Sequence, residues 1–352
     1  MMSDPSASGG ASTPQLFIAI PTFNRVARLR ERLLELLPQL SREVALTVFD
    51  NGSTDGTAEL MAGEFANAPV TWRRWPENRG MMRNFIRCFE DSEGDWLWIL
   101  GDDDPVRSDG VAEVLKLISH PTAGVILTNS SCNLNVEERL CAGLDEYFAV
   151  KDVPSACHIA SNLYRRAAII PHLGCLAPSS FTLINIAIIT MRMLDAGTAP
   201  VLLTTSTVLT PTHLNRQRWS VHEGALGFSI AAEFFSRDEH QRRAALGLWQ
   251  ATRWMLMWAL MHVHDRASAR RWRKLCRQVD GNFRAYGSTL RAFCAANWQS
   301  APRDVRRGIL LRLFALLPAF ILCRLAILLN RRTGGPGDPV VAEIPRPETA
   351  RN

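Results

Sequence analysis

The chain has 352 residues, 47% of them apolar and 21% charged, with a formal net charge of +6. That length holds one large domain or two ordinary ones with a full core, and the composition excludes disordered, fibrous and collagen-like classes. Lysine is confined to Lys116, Lys151 and Lys274, so nearly all cations are arginine; this reads as codon usage, and no nucleic-acid partner is expected.

The first fourteen residues are mostly Ser, Gly, Ala and Pro with no basic start or apolar block, and read as a flexible tail, not a signal peptide. From 15 to 130, strand and helix signals alternate. Apolar runs predict strands at 16–20, 44–49, 70–75, 96–100 and 124–129, and helical spacing predicts helices at 25–37, 55–66, 80–91 and 108–119. Such alternation predicts an α/β fold: a Rossmann-like, mainly parallel sheet with helices on both faces. Between 131 and 218 the pattern loosens, with a buried helix within 179–194 and a strand at 201–208. Residues 219–330 read as a helical region rich in Ala, Leu, Trp and Arg, and 331–352 as a disordered tail.

The cysteines, at 88, 132, 141, 157, 175, 276, 294 and 323, form no CxxC pair, which argues against zinc and fits a reducing cytoplasm. Leu313 to Cys323 is continuously apolar between Arg312 and Arg324. Eleven residues do not cross a bilayer core of about 30 Å. The longer stretch 306–330 contains arginines and Pro318, so an interfacial helix is preferred to a packing helix or a span. A cytoplasmic protein, peripheral on the inner face of the plasma membrane, is the matching expectation.

Two predicted strands end in acidic, glycine-bearing loops. Asp50-Asn51-Gly52-Ser53-Thr54-Asp55-Gly56-Thr57 follows the second, and Gly101-Asp102-Asp103-Asp104 follows the fourth. In an open α/β sheet, ligands sit beyond the carboxyl ends of the strands. Three consecutive aspartates repel one another, and a hard cation shared with phosphate oxygens relieves that repulsion. A lone triplet would read as a solvated turn; a second acidic loop at another strand end favours a divalent metal and a polyphosphate.

The run Leu16-Phe17-Ile18-Ala19-Ile20-Pro21-Thr22-Phe23-Asn24-Arg25, the loop from Asp50, the stretch Pro76-Glu77-Asn78-Arg79-Gly80 with Asn84, and Leu100-Gly101-Asp102-Asp103-Asp104 follow one another in the chain. Together they resemble the family 2 glycosyltransferases, which have the GT-A fold. The resemblance covers about a third of the chain. It implies transfer of a sugar, with inversion, from a nucleotide-diphosphate donor to a hydroxyl of a saccharide acceptor; an interfacial helix at 306–330 would make that acceptor a lipid-linked saccharide. By the same resemblance Asp50 faces the nucleotide base, where a carboxylate suits the imide N–H of uridine or thymidine. Pro21, Thr22 and Asn24, with Arg25 beside them, line that pocket. Asn78, Gly80 and Asn84 lie near the donor, and Asp102 meets the ribose. Gly101 stands where many relatives carry the first acid of a DxD motif, which leaves Asp103 as the expected ligand of Mn²⁺ or Mg²⁺ and Asp104 in reserve. The Leu-Gly-Asp-Asp-Asp variant is similar to transferases of deoxyhexoses into bacterial surface polysaccharides.

The acceptor hydroxyl must lose a proton, so a general base is required. Asn215-Arg216-Gln217-Arg218-Trp219 resembles the Gln-x-x-Arg-Trp motif of relatives, and Arg216 and Arg218 suit a diphosphate. The position where relatives place the acidic pair falls on Thr182 to Asn185, which has no carboxylate. Asp195 and His213 are the substitutes, with Asp145 and Glu146 further outsiders. His158, Ser161 and Asn162 precede Leu163-Tyr164-Arg165-Arg166, which reads equally as a stretch beneath the acceptor pocket or as a buried strand. No GxGxxG follows the first strand and no P-loop occurs, which excludes those nucleotide folds. The alternative is a catalytically silent nucleotide-sugar-binding or scaffold protein on the inner membrane face.

Overall fold

Leu16 to Ile20 is apolar at every position, the pattern of a strand covered on both faces, and it forms the core of β1 (Leu16–Thr22). The computed structural model describes residues 13–129, 138–149, 158–180, 185–210, 221–231 and 265–283, with isolated positions between 248 and 263. β1 is flanked by β2 (Val44–Asp50) and β4 (Trp96–Ile99), and β3 (Thr71–Arg74) extends β2; all these pairings are parallel. Parallel neighbours require crossovers, supplied here by α1 (Val26–Leu36), α2 (Thr57–Ala62) and α3 (Met81–Glu90). After α4 (Gly110–Ile118) come β5 (Val125–Leu127), β6 (Arg139–Cys141), α5 (Leu144–Ala149), β7 (Asn162–Arg165), α6 (Arg166–Ile169), α7 (Asn185–Asp195) and β8 (Val201–Leu203). The strand order is β3-β2-β1-β4-β7-β5-β8-β6.

Alternation along β1 assigns its faces. Leu16, Ile18 and Ile20 share a buried cluster with Leu29, Leu33 and Leu36 of α1, Met61 of α2, and Val111, Val114 and Ile118 of α4. Phe17 packs near Phe49, with ring centroids 6.4 Å apart, and Phe89 of α3 meets Tyr164 edge-on at 5.1 Å. Each buried aliphatic or aromatic side chain contributes about 1.5–3 kcal/mol. The helices thus cover both sides of a mostly parallel sheet, as expected for the GT-A class.

β7 is the departure. It runs antiparallel between β4 and β5, with Leu97 opposite Tyr164 and Leu127 opposite Asn162. Leu163 and Tyr164 are fully buried, which decides for the buried strand. Because it runs backwards, β7 brings the preceding turn to the edge where β4 ends. The strand foreseen at 201–208 stops at Leu203, since its partner β5 ends at Leu127; Leu209 then bridges Val106. The buried helix foreseen within 179–194 is α7, beginning at Asn185.

The chain divides into two compact units: residues 1–140, 158–173 and 198–210, and residues 141–157, 174–197 and 211–352. In the second, α8 (Val221–Ile230) packs with α9 (Arg266–Asn282), where Asn282 Nδ2 donates to Ser229 Oγ at 2.7 Å. α9 opens with a reciprocal capping box between Asp265 and Ser268. Among the described residues no helix is long and apolar enough to cross a membrane. The segment 306–330, both tails beyond 13–283, and His213, Arg216 and Arg218 lie outside the described residues.

Candidate active site

β1, β2, β3 and β4 are adjacent and parallel, so the turns that follow them gather along one edge. Asp50 closes β2 and is fully buried. Its Oδ1 accepts the Ser53 N–H at 2.9 Å, closing the loop upon itself. Its Oδ2 has Arg74 Nε at 3.5 Å and no hydrogen-bond partner among the described residues. Arg74 stands opposite Asp50 in the β2–β3 register and also donates to Ser53 O at 2.7 Å.

The β1 turn is tied to this loop on both sides. Asn24 adopts φ +52°, a left-handed conformation that asparagine tolerates. Its backbone N–H reaches Ser53 Oγ at 2.9 Å, and its Oδ1 accepts from Thr54 N at 2.7 Å. Asp55 accepts the Val26 N–H at 2.7 Å and the Thr57 hydroxyl at 2.6 Å, joining the starts of α1 and α2. Burial acts to raise the Asp55 pKa, but these hydrogen bonds lower it.

The β3–α3 connection crosses directly over the β2 loop. Asn51 donates to Asn78 Oδ1 at 2.8 Å and accepts the Arg79 N–H at 2.9 Å, while Asn78 Oδ1 also takes the Gly80 N–H at 2.8 Å. The crossing explains Gly52: with φ +79°, a Cβ there would lie 2.5 Å from the Glu77 carbonyl carbon. Asn84 is buried, with its amide donating to Phe49 O at 2.8 Å, so it fastens α3 to the end of β2.

The three aspartates after β4 take three directions. Asp102 is buried at 2% exposure; Thr22 Oγ1 donates to its Oδ2 at 2.7 Å and Arg25 Nη1 to its Oδ1 at 2.6 Å. Burial raises the Asp102 pKa against the pull of Arg25 and Thr22. Burial opposes the charge on Arg25, yet Asp102 and Asp103 raise its pKa. The Asp103 side chain is 42% exposed, with Arg25 Nη1 3.2 Å from its Oδ2. Asp104 turns inward: its Oδ2 accepts the Gly101 N–H at 3.1 Å, and its Oδ1 lies 3.4 Å from His158 Nε2. Burial acts to raise the Asp104 pKa, but His158, the Gly101 N–H and Arg32 bring it below the ordinary range. A Cβ on Gly101 would stand 2.5 Å from Asp104 Oδ2, so this position favours the glycine that replaces the usual acid. His158 is fixed from behind by Ser161 Oγ, 2.9 Å from its Nδ1. Beneath the loop, buried Arg32 pairs with Glu35, which accepts the Val106 N–H at 3.1 Å.

Pro21, Thr22, Asn24, Arg25, Asp50, Asn78, Gly80, Asn84, Asp102, Asp103 and Asp104 therefore all occupy strand ends at one sheet edge, the turns that follow them or the first turn of the following helix. Asp195 is half-buried at the last position of α7, in the second unit. Residues not singled out in the sequence include Asn51 and Arg74, whose roles depend on strand register. Among the described residues no group of three or more His, Cys, Asp and Glu converges as a ligand set. Asp103 is the carboxylate best placed to hold a hard cation, since Asp102 and Asp104 are engaged elsewhere. One carboxylate completed by substrate phosphates is an ordinary Mg²⁺ arrangement.

The mostly parallel α/β sheet with helices on both faces is the GT-A fold. Residues 1–349 of Staphylococcus aureus TarS superpose with a TM-score of 0.53 at 13% identity, covering 79% of this chain and 91% of that one. Mannosyltransferase PcManGT from Pyrobaculum calidifontis, solved with GDP-Man and Mn2+, gives 0.50 at 14% identity, covering 91% and 88%. Residues 17–141 match Glycosyl transferase family 2. Over 97 residues the chain is 36% identical to abequosyltransferase RfbV of Salmonella typhimurium, covering 26% of this chain and 29% of that protein. Over 100 residues it is 33% identical to the uncharacterized glycosyltransferase YfnE of Bacillus subtilis, covering 28% and 26%. The matches thus span less than a third of either curated relative.

Proposed function

We propose that this protein transfers a sugar, with inversion, from a nucleotide-diphosphate donor to an acceptor hydroxyl in bacterial surface-polysaccharide or glycolipid synthesis. The observation that carries the proposal is the fully buried Asp50, whose Oδ2 has no hydrogen-bond partner among the described residues. A buried acceptor left unmade costs about 1–3 kcal/mol, and a ligand N–H recovers it. The imide of uracil or thymine supplies such a donor. TarS has been solved with UDP-GlcNAc, and the similarity to an abequosyltransferase supports a surface-polysaccharide acceptor.

In this reading Asp102, locked by Thr22 and Arg25, presents the acidic loop to the ribose, and Asp103 holds Mn²⁺ or Mg²⁺. The metal, when bound, supplies Lewis-acid neutralisation of the diphosphate leaving group. Asn78 and Gly80 place the head of α3 beside the donor, and Arg216 and Arg218 pair with the diphosphate. Asp195 or His213 takes the acceptor proton. Contact with a membrane surface is assigned to α9, whose Arg266, Arg270, Arg271, Lys274 and Arg277 are all exposed.

The test is a thermal-shift screen of UDP, TDP, GDP and their sugars, with and without Mn²⁺, followed by transfer assays with wild type, Asp195→Asn and His213→Ala. Pyrimidine-selective stabilisation supports the reading by mass action. Equal response to all bases sinks the Asp50 role, and selective binding without turnover on any lipid-linked saccharide leaves a binding protein.

A further inference from the structure

The acidic loop already carries a cation of the protein's own. Arg25 Nη1 bridges Asp102 Oδ1 at 2.6 Å and Asp103 Oδ2 at 3.2 Å. The two carboxylates are not equivalent. Asp102 is buried, and its second oxygen is taken by Thr22, so its contact with Arg25 is fixed. Asp103 is 42% exposed and the Arg25 side chain 31%, so this second contact is the one that solvent and ligands reach.

A Mg²⁺-sized ion bound by Asp103 would lie about 2.0–2.1 Å from a carboxylate oxygen. With Arg25 Nη1 at 3.2 Å from Oδ2, ion and guanidinium would be like-charged neighbours on one carboxylate. We infer that Arg25 is a placeholder cation: it compensates Asp103 while the site is empty, and it releases Asp103 when metal and diphosphate enter together. The inference rests on the proposed role of Asp103. The freed guanidinium has an acceptor in the diphosphate, because Arg pairs readily with phosphate oxygens. Metal alone gains no such acceptor and must compete with Arg25 for Asp103. Metal and diphosphate therefore raise each other's affinity, reciprocally.

The experiment is Mn²⁺ titration of the full-length protein, followed by the electron paramagnetic resonance signal of free Mn²⁺, with no nucleotide present. Wild type, Arg25→Met, Arg25→Lys and Asp103→Ala are compared, along with the Arg25→Met/Asp103→Ala double variant. Removing a like charge at this separation tightens Mn²⁺ binding by at least about tenfold in Arg25→Met, even after generous screening. Arg25→Lys, whose shorter side chain carries its charge on an ammonium that ends short of the Nη1 position, lies between the two. The double variant loses the gain. In the presence of UDP the order reverses: wild type is stabilised by UDP with Mn²⁺ more than Arg25→Met is. Equal or weaker Mn²⁺ affinity in Arg25→Met overturns the inference. If that variant does not fold, equal affinity in Arg25→Lys and wild type overturns it. A tight site that survives Asp103→Ala refutes instead the assignment of Asp103, so the two failures are distinguishable.

Discussion

Asp50→Asn separates ligand recognition from folding at one atom. The replacement keeps the shape of the side chain and leaves an amide oxygen to accept the Ser53 N–H now held at 2.9 Å by Oδ1. It replaces Oδ2, which is buried without a hydrogen-bond partner, by an amide donor. A pyrimidine imide N–H then meets a donor instead of an acceptor. Loss of a hydrogen bond to a charged group is worth about 1.5–3 kcal/mol, or a ten- to hundredfold weaker nucleotide Kd. Stability moves the other way or stays level. The buried carboxylate oxygen is removed, and the compensating contact that is lost, Arg74 Nε at 3.5 Å, is long. The measurement is paired: calorimetric titration with UDP and Mn²⁺, and urea unfolding of the free protein. Unchanged affinity refutes the assignment of Asp50 to the base. A parallel loss of more than about 2 kcal/mol in stability would mean that the carboxylate serves the fold and not the ligand.

Gly52→Ala should destabilise by about 2–5 kcal/mol, summing the left-handed backbone penalty and overpacking against Glu77 and Asn78; a urea midpoint within error of wild type refutes the crossing. Asp103→Ala should leave the urea midpoint nearly unchanged, because the side chain is 42% exposed, and lower Mn²⁺-supported turnover by orders of magnitude; undiminished turnover ends its metal role. Asp55 and Asp104 have lowered folded pKa values, so each adds stability above about pH 4 that is lost as the pH falls through that lowered value. Asp102, raised by burial, adds the opposite slope, losing stability as the pH rises through its own window. Asp104→Asn should therefore flatten the acid limb of a urea-midpoint profile, and an unaltered limb refutes the His158 and Gly101 contacts. Full-length protein with Arg270, Arg271 and Lys274 changed to Glu should lose binding to phosphatidylglycerol vesicles at low salt, at roughly 1 kcal/mol per cation removed; retained binding removes α9 from the membrane contact.

What the sequence made legible follows from how far each interaction reaches along the chain. β1, β2 and β4 are buried on both faces, so their apolar runs announce them, and the acidic loops announce where they end. β7 gave no comparable signal. It is four residues long and draws its stability from β4 and β5, whose paired residues lie some tens of positions away. Its direction, and hence the arrival of His158 beside Asp104, is a property of the sheet and not of the segment. The same limit divides the aspartate triplet. Two acidic loops at neighbouring strand ends point to a cation, but the sequence does not say which carboxylate faces outward. That is decided by Thr22 and Arg25 on β1's turn, which capture Asp102, and by the Gly101 N–H and His158, which capture Asp104. Asp103 stays the most exposed of the three, with Arg25 beside it. The glycine that departs from the family's usual acid is part of the same arrangement, because a Cβ at position 101 would meet the carboxylate of Asp104. Restoring an acid there would require the Asp104 carboxylate to shift from its present place. Gly101 and the inward-turned Asp104 are therefore one local arrangement, held by the Gly101 N–H that Asp104 accepts.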